Sequence, residues 1–171
     1  MPTGIHIRRA GPDDYLAVAR IFSGPKAMAG TLQLPYSLPD FWRKRLEAEG
    51  MYHLLACVSD EVVGELGLQI FPNSPRRKHA GAIGMAVRDD WQGQGVGTAL
   101  MQAAVDLADK WLNISRLELE VYTDNEPATR LYKKFEFELE GTKKMFAFRA
   151  GEYVDVYAMA RIKMNRETPS N

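Results

Sequence analysis

The chain has 171 residues, with 22 Lys+Arg against 22 Asp+Glu, so no overall field draws it to nucleic acid or to an anionic membrane. Its length suits one domain, expected over residues 1–164 with 165–171 as a flexible tail, and no apolar run reaches the ~18 residues of a membrane span. The lone cysteine, Cys57, excludes an intrachain disulfide, histidine and cysteine do not cluster as metal ligands do, and the expected location is cytoplasmic.

Ile5-His6-Ile7-Arg8 alternates as a short strand, and Gly11-Pro12-Asp13-Asp14 opens a helix carrying Leu16, Ala19, Ile21 and Phe22. Ser23 to Pro35, rich in glycine, proline and small residues, reads as a loop of the kind that carries specificity. Ser37 is the expected cap of a helix holding Phe41, Trp42, Arg45 and Leu46, with Gly50 as its stop. Strands follow from Tyr52 to Ser59 and from Val62 to Phe71, joined by a hairpin turn at Asp60-Glu61 and closed by a turn from Pro72 to Arg77. Cys57 lies in the first of these strands and reads as a buried inert thiol.

A strand from His79 to Val87 then meets Gln92-Gly93-Gln94-Gly95-Val96-Gly97-Thr98, and a helix follows with Val96, Leu100, Ala103, Ala104, Leu107 and Trp111 expected on its apolar face. Three alternate glycines between a strand and a helix suit an anion held by backbone N–H groups at the positive end of the helix. A nucleoside triphosphate loop needs Lys-Ser or Lys-Thr after its last glycine, where this chain has Thr98-Ala99. A dinucleotide loop wants Gly-x-Gly-x-x-Gly, and its third glycine falls here on Thr98 or Leu100. Beyond lie a strand from Arg116 to Tyr122, a short helix from about Pro127 to Lys134, and strands Phe137 to Phe148 and Tyr153 to Met164 about a turn at Gly151-Glu152.

The loop Gln-x-x-Gly-x-Gly, together with Asn125-Glu126-Pro127-Ala128-Thr129-Arg130-Leu131-Tyr132 and Phe137 downstream, resembles the GCN5-related N-acetyltransferase (GNAT) family, and Thr31-Leu32-Gln33-Leu34-Pro35, Trp91, Ala128 and Gly151-Glu152-Tyr153-Val154-Asp155 resemble its L-amino-acid N-acetyltransferase branch. One departure is Glu136, which stands where the family usually has glycine and implies a small strain or a differently shaped turn. The resemblance implies an α/β (α+β) fold: a central mixed, mostly antiparallel twisted sheet of about six to seven strands flanked by about four helices. It also implies acetyl-CoA as acetyl donor, a small-molecule amine as acceptor and dimerisation through the last strands. A ribosomal-protein type acetyltransferase and a non-catalytic acyl-CoA sensor are the alternatives.

By the same resemblance, main-chain groups at Met85, Ala86 and Val87 hold the pantetheine arm, and the strand from Arg116 splays away to admit it. Gln92, Gly93, Gln94, Gly95, Val96, Gly97 and Thr98 take the pyrophosphate, Asn125 bonds the arm and Tyr132 protonates the departing thiolate. A phenol, with a pKa of about 10, stays protonated for that task at neutral pH. Arg88, Arg130 and Lys133 are candidates for the outer phosphates, with solvated charge as the plainer reading. The amine must lose a proton, and His79 and Glu65 compete as base; Glu118 and Glu120 read as a solvated strand face, and His6 and His53 have no supporting context. Gln33, Tyr36 and Trp42 are the expected acceptor-side residues, with core packing an equal reading for the two aromatics.

Overall fold

A computed structural model describes residues 4–164, so the tail expected at 165–171 lies outside the described residues. In chain order the elements are β1 (His6–Arg9), α1 (Tyr15–Phe22), α2 (Pro25–Ala29), α3 (Pro39–Leu46), β2 (Met51–Val58), β3 (Glu61–Ile70) and β4 (Ala80–Val87). After them come α4 (Val96–Lys110), β5 (Arg116–Tyr122), α5 (Glu126–Lys134), β6 (Glu138–Arg149) and β7 (Glu152–Ile162). Short 3-10 turns precede α1, β4 and α4. The strands form one seven-stranded mixed sheet in the order β1-β2-β3-β4-β5-β7-β6, antiparallel except where β4 meets β5.

The two apolar faces of the sheet are covered separately. Val96, Leu100, Met101, Ala104 and Ala108 of α4 pack with Leu66, Leu68, Leu117 and Leu119 on one face. On the other, Val18, Ile21 and Phe22 of α1 and Trp42 of α3 close over Leu55 and Cys57, the buried thiol expected from the strand pattern. Gly64 lets α4 approach, because a Cβ there would sit 2.8 Å from Val96 Cγ1.

Several boundaries differ from the sequence expectation, each for a local reason. The stretch from Ser23 to Pro35 contains α2, whose main-chain N–H groups at Lys26 and Ala27 donate to the Asp89 carboxylate at 2.9 and 2.8 Å. Leu38, not Ser37, takes the cap position of α3, and Ser37 Oγ donates instead to the Leu34 carbonyl. The β2–β3 turn sits at Ser59 and Asp60, both at positive φ, one residue earlier than expected. Trp111 is 81% exposed because α4 ends at Lys110 and the chain doubles back, placing Ile114 in the core instead.

Candidate active site

β4 and β5 pair only at Ala80–Ala82 with Arg116–Glu118, after which they part. A cleft of about 1090 Å³ opens there, lined by Ile83, Met85 and Val87 of β4, the glycine loop, Tyr122, Asn125, Tyr132 and the α2–α3 connection. Arg88 N–H bonds to Val63 O on β3, whereas the His79 carbonyl accepts from Ser115 and Arg116 on the β5 side. Because strand backbone alternates with a period of two, Met85 and Val87 turn their polar groups to the cleft and Ala86 turns its own to β3. Met85 and Val87 therefore face the cleft with their main-chain groups. Ala86 is a correction: it is buried among the α1 and α3 side chains and is absent from the cleft lining.

Between β4 and α4, no main-chain N–H from Gln92 to Thr98 finds an acceptor among the described residues; the first bond of the helix runs from Ala99 N to Gly95 O. Gly93 and Gly95 hold φ 75 and 86, which folds these donors around one concavity at the N-terminus of α4. Such a row of unpaired donors fits a pyrophosphate. The other side chains of the segment brace it. Gln92 Nε2 donates to Val87 O at 3.2 Å and Gln94 Nε2 to Asp90 O at 2.8 Å, while the Val96 side chain is core. Gly97 serves packing, since a Cβ there would meet Leu131 at 3.0 Å and Met85 at 3.4 Å. Arg88 is held by Asp90 and Glu61 and does not line the cleft, and nor does Lys133, whereas Arg130 and Lys134 do.

On the far wall Asn125 caps α5, its Oδ1 accepting from Ala128 N at 3.3 Å, and it lines the cleft as expected. Tyr132 packs against Phe137 and also lines the cleft, with no hydrogen-bond partner for its hydroxyl among the described residues. Burial pushes its phenol up to about 12. Tyr122, which the sequence reading had not singled out, lines the same cleft, but its hydroxyl already donates to Thr31 O at 2.9 Å. Of the two phenols, Tyr132 is the one whose hydroxyl is unshared among the described residues.

The acceptor side lies under α1, α2 and α3. Glu65 is 1% exposed yet lines the cleft; His53 Nδ1 sits 2.6 Å from its Oε1, and His53 Nε2 sits 3.0 Å from the Arg45 carbonyl. A ring nitrogen facing a carbonyl must carry hydrogen, so Nε2 is the donor there and one proton is shared between Nδ1 and Glu65. His53 had been set aside as lacking context, and the structure makes it the partner of Glu65. His79 is corrected the other way: it is exposed at the far end of β4, away from the cleft. Gln33 lines the cleft. Trp42 does not, being stacked on Phe22 with ring centroids 4.4 Å apart, and Tyr36 is 98% exposed at φ 64 on the outer surface. Among the described residues no group of three His, Cys, Asp or Glu could hold a metal ion.

The chain has counterparts among known proteins. The acetyltransferase (GNAT) family model matches residues 18–137. The L-amino acid N-acetyltransferase AaaT of Escherichia coli K12 is 42% identical over 160 residues, covering 93% of this chain and 98% of the relative. An N-alpha-acetyltransferase of Saccharolobus solfataricus is 27% identical over 165 residues, covering 91% of each chain. The solved structure of yncA from Salmonella typhimurium with its cofactor acetyl-CoA matches with a TM-score of 0.84 over 98% of this chain and 99% of its own. At 17% identity that last likeness is one of fold.

Proposed function

The chain belongs to the GNAT family of acetyltransferases, and from that premise we propose that it acetylates the α-amino group of a small free L-amino acid. It is an N-acetyltransferase that uses acetyl-CoA. The observation that carries the site assignment is the unbroken row of unpaired N–H groups from Gln92 to Thr98 beside the parted strands.

Acetyl-CoA supplies an activated acetyl thioester. In the proposed arrangement the N–H groups from Gln92 to Thr98 hold its pyrophosphate, and the cleft-facing backbone of Met85 and Val87, with Asn125, orients its arm. Glu65, through the oxygen that His53 does not occupy, takes the proton of the acceptor ammonium directly or across one water and so frees the amine to attack. His53 fixes the carboxylate by its shared proton. Tyr132 gives its hydroxyl proton to the departing sulfur as the carbon–sulfur bond breaks and regains one from the attacking nitrogen as the amide forms, and its raised pKa keeps it protonated in between.

The acceptor class is supported by the 42% identity to AaaT over nearly the whole of both chains. Incubation with acetyl-CoA and a panel of free amino acids, polyamines and peptides, followed by the release of thiol, tests it. Thiol release with apolar amino acids is expected; release with peptides alone would favour a protein acceptor, and release with none a sensor. Replacing Gly95 by Val should weaken binding of coenzyme A, and unchanged affinity would remove the loop from the cofactor site.

A homodimer is also proposed, on the last hairpin, where Phe148 and Tyr153 pair in the open at 66% and 63% exposure. Sedimentation tests it, with a monomer as the contrary result. A cytoplasmic location is proposed from the lone thiol, together with the lack of any described helix long and apolar enough to cross a membrane.

A further inference from the structure

Resting on the reading that the acceptor is a free amino acid, we propose that Arg45 binds its α-carboxylate and makes that carboxylate the feature by which acceptors are chosen. The last turn of α3 carries three basic residues in succession. Arg43 and Lys44 pair at the surface with Asp40, at 3.7 and 3.1 Å. Arg45 points elsewhere: its guanidinium lies 5.9 Å from the centre of the Trp42 ring, and its side chain lines the cleft beside Glu65. Its Nε is buried without a hydrogen-bond partner, alone in that respect among the buried side-chain polar atoms of the described residues.

A buried donor left unmade is costly, and this guanidinium faces the cleft with no carboxylate of the described residues to meet it. So enclosed an atom as Nε is closed to a ligand as it is to water, and the carboxylate meets the guanidinium at its terminal nitrogens, which line the cleft and take part in no hydrogen bond or ion pair among the described residues. The other cations of the cleft are placed differently. Arg149 is bonded to Asp124 and the Ala29 carbonyl, Arg130 pairs with Glu126 on the outer face of α5, and Lys26 and Lys134 are exposed.

The position of Arg45 is fixed by the same chain of contacts that fixes the base. His53 Nε2 donates to the Arg45 carbonyl while Nδ1 shares a proton with Glu65, so cation and carboxylate are tied through one buried ring. An amino acid carries its ammonium and carboxylate on one carbon and is complementary to this pair of opposite charges. A polyamine would bring a second positive charge towards Arg45, and a peptide N-terminus offers a neutral carbonyl where the carboxylate would be.

The test compares the best free amino acid of the panel with its own amide, in the wild type and in Arg45→Gln and Arg45→Lys. The wild type is expected to favour the acid over the amide by about 10–100-fold in kcat/KM, the range for a hydrogen bond to a charged group. Arg45→Gln should collapse that ratio towards unity, mainly through KM for the acid, and Arg45→Lys should keep part of it. An acid-to-amide ratio unchanged in Arg45→Gln would overturn the proposal while leaving the amino-acid reading intact. Turnover of peptides or spermidine with no turnover of amino acids would overturn that reading and this proposal with it. The amide serves as an internal control. If Arg45→Gln lost both substrates, Arg45→Lys would decide, because a ratio equal to that of the wild type would count against a bidentate carboxylate site.

Discussion

Two tyrosines face the cleft, and the bond that one of them has already made separates their roles. Tyr122 donates to Thr31 O and holds a loop, whereas Tyr132 keeps its proton unshared. Tyr132→Phe should lower kcat by about 10²-fold with little change in the affinity for acetyl-CoA, and equal kcat would take Tyr132 out of the acid role. The raised phenol pKa has a consequence for stability as well. The unfolded chain releases this proton near its ordinary value of about 10, while the folded protein keeps it up to about 12, so stability is lost as pH rises through that window. Burial raises the Tyr122 phenol in the same direction, so Tyr132→Phe should lessen the alkaline loss of stability by one proton without abolishing it, as read by alkaline unfolding. Glu136 shows strain of a different kind. Its φ of 65 keeps the left-handed backbone that glycine would adopt freely, so the turn retains its shape at some cost to an L-residue. Glu136→Gly should shift stability by about 0–1 kcal/mol upward, the relief of strain being partly offset by a more flexible unfolded chain, with kcat unchanged. A fall in the thermal midpoint would contradict that account.

At the scale of elements, α2 shows why the acceptor side could not be drawn from its own sequence. Five residues make no stable helix alone, and α2 persists because contacts distant in sequence grip both its ends. Asp89 accepts from Lys26 and Ala27 at its N-terminus, Arg149 donates to the carbonyl of Ala29, the last residue of α2, and Tyr122 donates to the Thr31 carbonyl just beyond. Gly24 permits the first contact, as a Cβ there would lie 2.7 Å from the Asp89 carboxylate. Asp89 thus couples the glycine loop to the acceptor wall. Asp89→Ala should cost about 1–2 kcal/mol as a lost helix cap and raise KM for the acceptor more than for acetyl-CoA, as read by denaturation and steady-state kinetics. An equal rise in both would show that the clamp serves the fold alone.

For the whole molecule, the sheet separates two tasks: α4 and its loop meet one face, α1 to α3 cover the other, and the parting of β4 from β5 joins them. Because coenzyme A would bind the folded chain and not the unfolded one, its presence at 100 times its Kd should raise stability by about 2.7 kcal/mol, visible as a higher thermal midpoint. No shift at saturation would mean that the opening between β4 and β5 is not a coenzyme A site formed by folding.

What the sequence determined by itself was whatever depends on neighbours along the chain. The strand-loop-helix around Gly93 and Gly95 and the hairpins are fixed by backbone freedom and short spacings. What the tertiary structure alone decided was which distant side chains share a face. Counting back from the turn at Ser59 and Asp60 without interruption opposes Glu65 to Leu54 and puts His53 on the other side of the sheet. A register shift between Ala56 and Cys57 instead opposes Glu65 to Leu55, and His53 comes round to meet it. A strand alternates with a period of two, so a slip of one residue exchanges its faces, and no local feature of the sequence announces the slip. The same holds for Arg45. Its neighbours in the chain give it the look of one more surface cation, and only the packing of α3 on the sheet turns it into the cleft.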